Sequence, residues 1–193
     1  MNLNLFFTPT DILLPAHADM RRWSVIACDQ FTADAGYWQA VQDTVCDAPS
    51  TLRLMLPEFY LGKCDEAAAT REIQQTMRRY LDDGVFRTVP HSLVLVQRTL
   101  PGGAVRCGVV GALDLEAYDY APDSVTPIRA TEGTVASRLP ARVRIRAAAA
   151  LEMPHIMVFY SDPEDTIRRE AQAAAGETLY DFDLMSGGGH VRG

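Results

Sequence analysis

One stretch of the chain, the arginine segment (residues 129–146), concentrates the residue types best suited to chemistry. It reads RATEGTVASRLPARVRIR and holds five arginines against one acid, a local net charge of +4 in a chain of net charge −7. Guanidinium groups present planar pairs of N–H donors that match the oxygens of phosphate and carboxylate groups. The segment therefore predicts a site for an anionic ligand.

Other side chains in and near the segment suit such a site. Threonine hydroxyls add hydrogen-bond donors, Gly133 lets the backbone approach a ligand closely, and a turn at residues 132–134 would open a short helix whose free amides face an anion. Glu132 and Asp29 are the predicted catalytic residues, as carboxylates that orient a substrate or accept a proton. The predicted ligand-binding residues are Arg129, Thr131, Thr134, Arg138, Arg142 and His190.

The same arginines have a plainer interpretation as a solvated basic face, or as partners of acids elsewhere in the chain. Arg142, Arg144 and Arg146 alternate along the sequence, so they could line one exposed face of a strand. Arginine itself carries little information, because Lys63 is the only lysine among 18 basic residues. The segment also lacks both phosphate-loop patterns, GxxxxGK(S/T) and GxGxxG. Only the local clustering supports an anion site.

Two further places could contribute to a site. Residues 187–190 read Gly-Gly-Gly-His, and glycine-rich loops bind phosphate through backbone amides, although a glycine run before a strand is more often a plain turn. His190 would be an acid or base near neutral pH. Asp29 follows an apolar run, residues 23–28, that is predicted to be a buried strand, and sites often form where such strands end. An aspartate in that position more often closes a turn.

Composition limits the class of molecule. Apolar residues make up 48% of the 193 residues and charged residues 22%, as in ordinary globular domains. The acidic total argues against a nucleic-acid binder. Neither a run of 18 apolar residues nor a secretory signal is found, so we expect a cytoplasmic protein with no membrane contact. The four cysteines have no CxxC spacing, and no metal site is expected.

Hydrophobic periodicity predicts the elements that position these residues. Helices are expected after the capping residues Asp34 and Asp65, and another from Asp162-Pro163 through Ala175. A Pro-Gly-Gly turn at residues 101–103 joins two apolar runs into a β-hairpin. The predicted fold class is mixed α/β (α+β), with helices packed on a mixed sheet that contains this antiparallel hairpin. Further strands are expected at residues 23–28, 156–160 and 178–185, and a new strand after the glycine run.

Six motifs together resemble one protein family. They are ILLP (12–15), VIACDQF (25–31), DAPSTL (47–52), IRATEGTV (128–135), MPHIM (153–157) and LYDFDLMSGGGHVRG (179–193). In them the chain resembles domain-of-unknown-function family 1015 of bacteria and archaea, over nearly its whole length. Longer members of that family continue to an Asp-Gly-Asn/His-His motif, which is similar to one in the ParB and free-serine-kinase superfamily and is absent here. The resemblance implies that residues 1–193 form a single module, the N-terminal portion of a longer protein.

The resemblance supplies no established activity, and its link to kinases is an analogy of fold. Glu132, Thr134 and Arg138 match a Glu-x-Thr…Arg pattern of looser relatives. The expected activity is that of a phosphotransferase acting on a small metabolite, with a nucleotide and magnesium as cofactors and with further catalytic residues in the protein's own C-terminal region. The alternative is a non-catalytic module that binds or senses a small anionic metabolite. Nucleic acid is suggested by the ParB analogy alone, and the acidic charge argues against it.

Overall fold

The computed structural model describes residues 6–27, 31–131, 133, 135–153 and 155–193, without the side chain of Arg138. Over this part of the chain the fold is mixed α+β, as the sequence predicts. Its helices are α1 Met20–Trp23, α2 Ala35–Val45, α3 Glu66–Asp82, α4 Leu139–Arg146 and α5 Thr166–Ala174. Its strands are β1 Phe7–Thr8, β2 Thr10–Pro15, β3 Phe86–Ser92, β4 Val94–Thr99, β5 Val105–Val110, β6 Ala112–Leu113, β7 Tyr118–Asp119, β8 Ile128–Arg129, β9 Asp181–Asp183 and β10 His190–Arg192.

The strands of the described residues form four small sheets. The largest has the order β5-β4-β10-β9, and all its neighbouring strands are antiparallel. The predicted hairpin corresponds to β4 and β5 in this sheet. The other sheets are the antiparallel pairs β2–β3 and β1–β6 and the parallel pair β7–β8. The strand that follows the glycine run, β10, therefore lies between β4 and β9, inside the largest sheet.

The two helices predicted from their capping residues are confirmed. The carboxylate of Asp34 accepts a hydrogen bond from the Tyr37 amide before α2, and that of Asp65 accepts from the amides of Ala67 and Ala68 before α3. These bonds satisfy backbone donors that the first turn of a helix leaves free. In the described part of the chain, every helix is too short or too polar to cross a lipid bilayer.

Two hydrophobic clusters hold the elements together. Burial of apolar surface contributes roughly 25 cal/mol per Å², so these clusters are the main source of stability. The first joins α2 to the turn before β10, and the second joins α1, α3 and α4. The first consists of Ile26, Tyr37, Trp38, Val41, Val45 and Met185. The second consists of Trp23, Leu54, Ile73, Met77 and Tyr80, with Ile145 of α4 packed against it.

The prediction of a strand at residues 23–28 is wrong for residues 23–27, which the structure describes. Trp23 ends α1, and residues 24–27 have no regular structure. Side-chain hydroxyls take the backbone groups that a strand would use: Thr51 donates to the Trp23 carbonyl at 2.8 Å, and Tyr37 donates to the Ile26 carbonyl at 2.5 Å. Because these carbonyls already have partners, the apolar run is buried without a neighbouring strand.

Three other elements also differ from the sequence predictions. Residues 156–160 form no strand within the described chain, and Ile156 and Phe159 are 69% and 80% exposed. A strand requires a neighbour for its backbone groups, and no described strand pairs with this run. Helix α5 begins at Thr166 rather than at Pro163, because the Asp162 carboxylate accepts from the amides of Thr166 and Ile167. The strand predicted at residues 178–185 is shorter, at Asp181–Asp183.

Candidate anion-binding site

Helix α4, which contains the C-terminal half of the arginine segment, is fastened to α3 by hydrogen bonds at its last turn. The Gln74 side chain donates to the carbonyls of Arg144 and Ile145 at 3.0 and 3.1 Å, and Arg78 donates to the Ala148 carbonyl at 3.2 Å. The last carbonyls of a helix have no partner inside it, so side chains of α3 satisfy them. The orientation of the segment is therefore set by α3.

The helical period decides which side chains of the segment face solvent. Ala141 is buried, and Ile145, one turn later, packs against the second hydrophobic cluster. Arg142 and Arg146 are exposed and lie one turn apart, on the face that adjoins the buried one. The alternative prediction that these arginines line a strand face is wrong, because residues 139–146 are helical.

Two arginines of the segment are paired with acids. Arg144 contacts Glu66 of α3 with an N–O distance of 2.5 Å, and Arg146 contacts Glu152 at 2.9 Å. For these two side chains the alternative interpretation, that the arginines pair with acids elsewhere in the chain, is correct. Exposed pairs of this kind contribute about 0–1 kcal/mol to stability.

Two other arginines of the segment have no acidic partner in the described part of the chain. Arg142 and Arg129 are both exposed. Arg129 lies beside Asp119 in the β7–β8 pair, but that carboxylate accepts from the Ala121 amide at 3.0 Å. This bond, and then one from the Ser124 hydroxyl, lowers the pKa of Asp119. Asp119 is thus bonded within its own loop, and Arg129 forms no ion pair with it or with another described acid.

The remaining predicted residues of the segment are described only in part. Glu132, Thr134 and Asp29 lie outside the described residues, and so does the side chain of Arg138. Thr131 is exposed. No hydrogen bond or ion pair joins Arg129, Thr131, Arg142 and His190 among the residues that are described. The structure therefore places the two unpaired arginines on separate elements, a short strand and a helix, and His190 in the largest sheet.

His190 lies between two carboxylates on the neighbouring strand. Its Nδ1 is 2.8 Å from Asp183 Oδ1 and its Nε2 is 2.7 Å from Asp181 Oδ1. Strand register explains this geometry, since His190 pairs directly with Asp183 and alternate residues of β9 share one face. Sequence reasoning missed both aspartates. The Asp-Phe-Asp alternation before the glycine run is the signal that could have revealed them.

This arrangement favours the charged form of the histidine. A carboxylate only accepts hydrogen bonds, so both ring nitrogens must carry protons to satisfy the two contacts. The hydrogen bond to Asp183, followed by that to Asp181, raises the pKa of His190, and the same bond to His190 lowers the pKa of Asp183. His190 is therefore better suited to be a cation than a proton acceptor.

We expect the stability contributed by His190 to depend on pH. A raised pKa stabilises the fold fully below the unfolded value, about 6.5, and this contribution is lost as pH rises through the folded value. The lowered pKa of Asp183 adds stability that is present above about pH 4 and is lost in acid. In chemical denaturation, H190Q should therefore lose most stability relative to the wild type near about pH 5.5, and much less near about pH 9.

His17→Gln is the matched control, because His17 is exposed and has no hydrogen bond or ion pair among the described residues. It should follow the wild type at both pH values. Added salt should also reduce the effect of H190Q, since the pairs are exposed to solvent. An H190Q deficit of equal size at both pH values would show that the histidine acts by shape and not by charge.

The glycine run is packed tightly against two neighbours. A β-carbon on Gly188 would overlap the Ile26 side chain, and one on Gly189 would overlap the carbonyl oxygen of Thr99 in β4. Gly189 also has a φ of 94°, a conformation that side-chain-bearing residues rarely adopt. Gly189 is therefore required for the close approach of β10 to β4, and Gly188 leaves room for the Ile26 side chain, which accounts for the run as a turn.

A surface cleft of about 270 Å³ lies elsewhere on the molecule. Residues of β2, α1 and the chain around Tyr180 line it, together with Arg87 and Asp181. No residue of the arginine segment is among the described residues that line this cleft. The cleft and the unpaired arginines are thus separate features, and the charge chemistry rather than the cleft defines the candidate site.

Together the fold and the charges define an α+β fold that presents, on α4 and β8, arginines without acidic partners among the described residues. The chain belongs to the family described as Protein of unknown function (DUF1015), which matches residues 9–192. Searches of the curated proteins and of the solved structures found no match to this chain. The predicted resemblance is confirmed, and the family itself assigns no activity.

Proposed function

We propose that the chain is the phosphate-binding module of a phosphotransferase that acts on a small metabolite. Arg129 and Arg142 would hold the phosphate groups of a nucleotide, and Thr131, Thr134 and Arg138 would add donors from the same segment. The observation that supports this proposal is that some arginines of the segment have a carboxylate partner and others do not. Arg144 and Arg146 have carboxylate partners, whereas Arg129 and Arg142 have none among the described residues.

Unpaired arginines are informative in this chain because acids are abundant. The sequence has 25 acidic against 18 basic residues, so an arginine without an acid is not explained by a shortage of carboxylates. Guanidinium groups bind phosphate oxygens in pairs and stabilise the charge that develops during phosphoryl transfer. A nucleotide with magnesium would supply the phosphoryl group, and a hydroxyl of the metabolite would receive it.

Acid–base residues would complete the reaction. Glu132, next to the threonines of the segment, would accept the proton of the attacking hydroxyl, and Asp29 is the second carboxylate proposed for this role. The nucleoside diphosphate leaves as the phosphoryl group moves to the metabolite oxygen. In this proposal the protein's own C-terminal region contributes further groups to the same site.

Thermal unfolding in the presence of candidate ligands tests the proposal. Pyrophosphate and ATP with magnesium should raise the unfolding temperature of the protein, since a ligand that binds only the folded state stabilises it. Phosphorus NMR of the same samples should show ATP consumed only when an accepting metabolite is present. Absence of any stabilisation by pyrophosphate or nucleotides would contradict the proposal.

A non-catalytic module that senses an anionic metabolite is the second candidate. The observation that favours it is the geometry of His190, whose ring nitrogens both donate to aspartates and leave no basic nitrogen for catalysis. For this candidate the thermal stabilisation would appear without consumption of ATP under any condition. The phosphorus NMR experiment therefore distinguishes the two functions.

A further inference from the structure

Two arginines stand side by side on one face of the largest sheet. In the antiparallel pairing of β4 and β5, Arg98 lies directly opposite Arg106. Residues that are directly opposite share a face, with their β-carbons about 4.5–5.5 Å apart. Like charges in this position destabilise a sheet unless something of opposite charge lies between them.

The guanidinium of Arg98 is poorly satisfied by the protein. Its Nε is buried and has no hydrogen-bond partner among the described residues. Its Nη2 donates to the carbonyl oxygen of Gly188 at a long distance of 3.4 Å. A buried donor without a partner is rare and costs about 1–3 kcal/mol, or more when the group is charged. Neither Arg98 nor Arg106 has an ion pair with any described residue.

The opposite face of the same sheet provides an internal comparison. There, each cation of β10 has an acid on the adjacent strand: His190 contacts Asp183 at 2.8 Å, and Arg192 contacts Asp181 at 3.7 Å. Among the described residues, the sheet thus pairs opposite charges on one face and leaves two like charges without an acid on the other. This contrast distinguishes Arg98 and Arg106 from an ordinary charged surface.

We propose that Arg98 and Arg106 form a second anion site, which binds a phosphate group between the two guanidiniums. Two adjacent guanidiniums offer more N–H donors than the two oxygens of one carboxylate accept in good geometry, whereas a tetrahedral phosphate has oxygens for both. The ligand is either free phosphate or a phosphorylated small molecule. This site lies on β4 and β5, outside the arginine segment, and it does not depend on the function proposed above.

Nitrogen-15 NMR of the arginine Nε–H groups tests the proposal directly. Titration with inorganic phosphate should move the Arg98 Nε–H signal, because binding at the Nη nitrogens of the same guanidinium changes the environment of this buried donor. In R106Q the dissociation constant from that signal should rise at least about tenfold, the loss expected for one charge-assisted hydrogen bond. R71Q, which removes an exposed arginine of α3, should leave it unchanged. Titration with methyl phosphate distinguishes the two sources: binding at least as tight as that of inorganic phosphate assigns a phosphorylated molecule, and weaker binding assigns the free ion.

The double variant R129Q/R142Q separates this proposal from the function proposed for the arginine segment, since it should leave the Arg98 signal and its phosphate response intact. A second measurement does not depend on the NMR signal of the half-buried Arg98. In thermal unfolding without phosphate, R106Q should be at least as stable as the wild type because it removes a like-charge contact, and phosphate should stabilise it less than the wild type. An Arg98 signal that does not move at millimolar phosphate, or that moves equally in R106Q, would overturn the proposal.

Discussion

Replacing Arg129 and Arg142 together by glutamine should weaken pyrophosphate binding at least about a hundredfold, because each arginine supplies a charge-assisted hydrogen bond worth about 1.5–3 kcal/mol. The expected loss is large because neither side chain has an alternative acid among the described residues, so in the free protein both are available to a ligand. Titration calorimetry measures this loss. All of these variants should also carry R106Q, so that binding at Arg98 and Arg106 does not contribute to the measured heat.

The matched control is R144Q/R146Q, which removes the same charge from the same segment. Arg144 and Arg146 are paired with Glu66 and Glu152, so their loss should change pyrophosphate binding by less than about tenfold, through long-range charge that salt screens. If both double variants lose affinity equally, the segment acts only through its net charge, and the assignment of Arg129 and Arg142 as ligands is wrong.

Gly189→Ala should destabilise the fold by about 3 kcal/mol or more. Two costs add: alanine is strained at a φ of 94°, and its β-carbon would overlap the Thr99 carbonyl oxygen. The overlap involves backbone, so β10 must separate from β4 for the side chain to fit. Urea denaturation of G189A measures the change in the free energy of unfolding.

Gly176→Ala is the control for this prediction. A β-carbon at Gly176 meets no atom within 4 Å, and its φ is not positive. This substitution should change stability by less than about 1 kcal/mol. Equal stability of G189A and G176A would contradict the packing account of the glycine run and would reopen its interpretation as a phosphate-binding loop.

Local signals made the helices and the hairpin predictable from sequence. The aspartates before α2 and α3 cap those helices, and the Pro-Gly-Gly turn joins β4 to β5, so each element is specified by residues within it. The strand after the glycine run is predictable for the same reason. Such elements need little information from the rest of the chain.

The features that could not be predicted from sequence depend on contacts between residues that are far apart along the chain. Residues 23–27 are apolar enough for a strand, but hydroxyls of Ser50 and Thr51, more than 25 positions away, take the Trp23 carbonyl. The arginine segment could be recognised by charge, yet its division into paired and unpaired arginines depends on Glu66, which lies 78 positions from Arg144. No local pattern indicates which acid will approach which arginine.

A crystal structure of the protein soaked with sulfate or phosphate tests the central claim most directly. We expect an anion on the guanidinium of Arg129 or Arg142, within about 3 Å of its nitrogens. Arg144 and Arg146 should remain on their glutamate partners. An anion found only on Arg144 or Arg146, or Arg129 and Arg142 both occupied by carboxylates of the same chain, would contradict it.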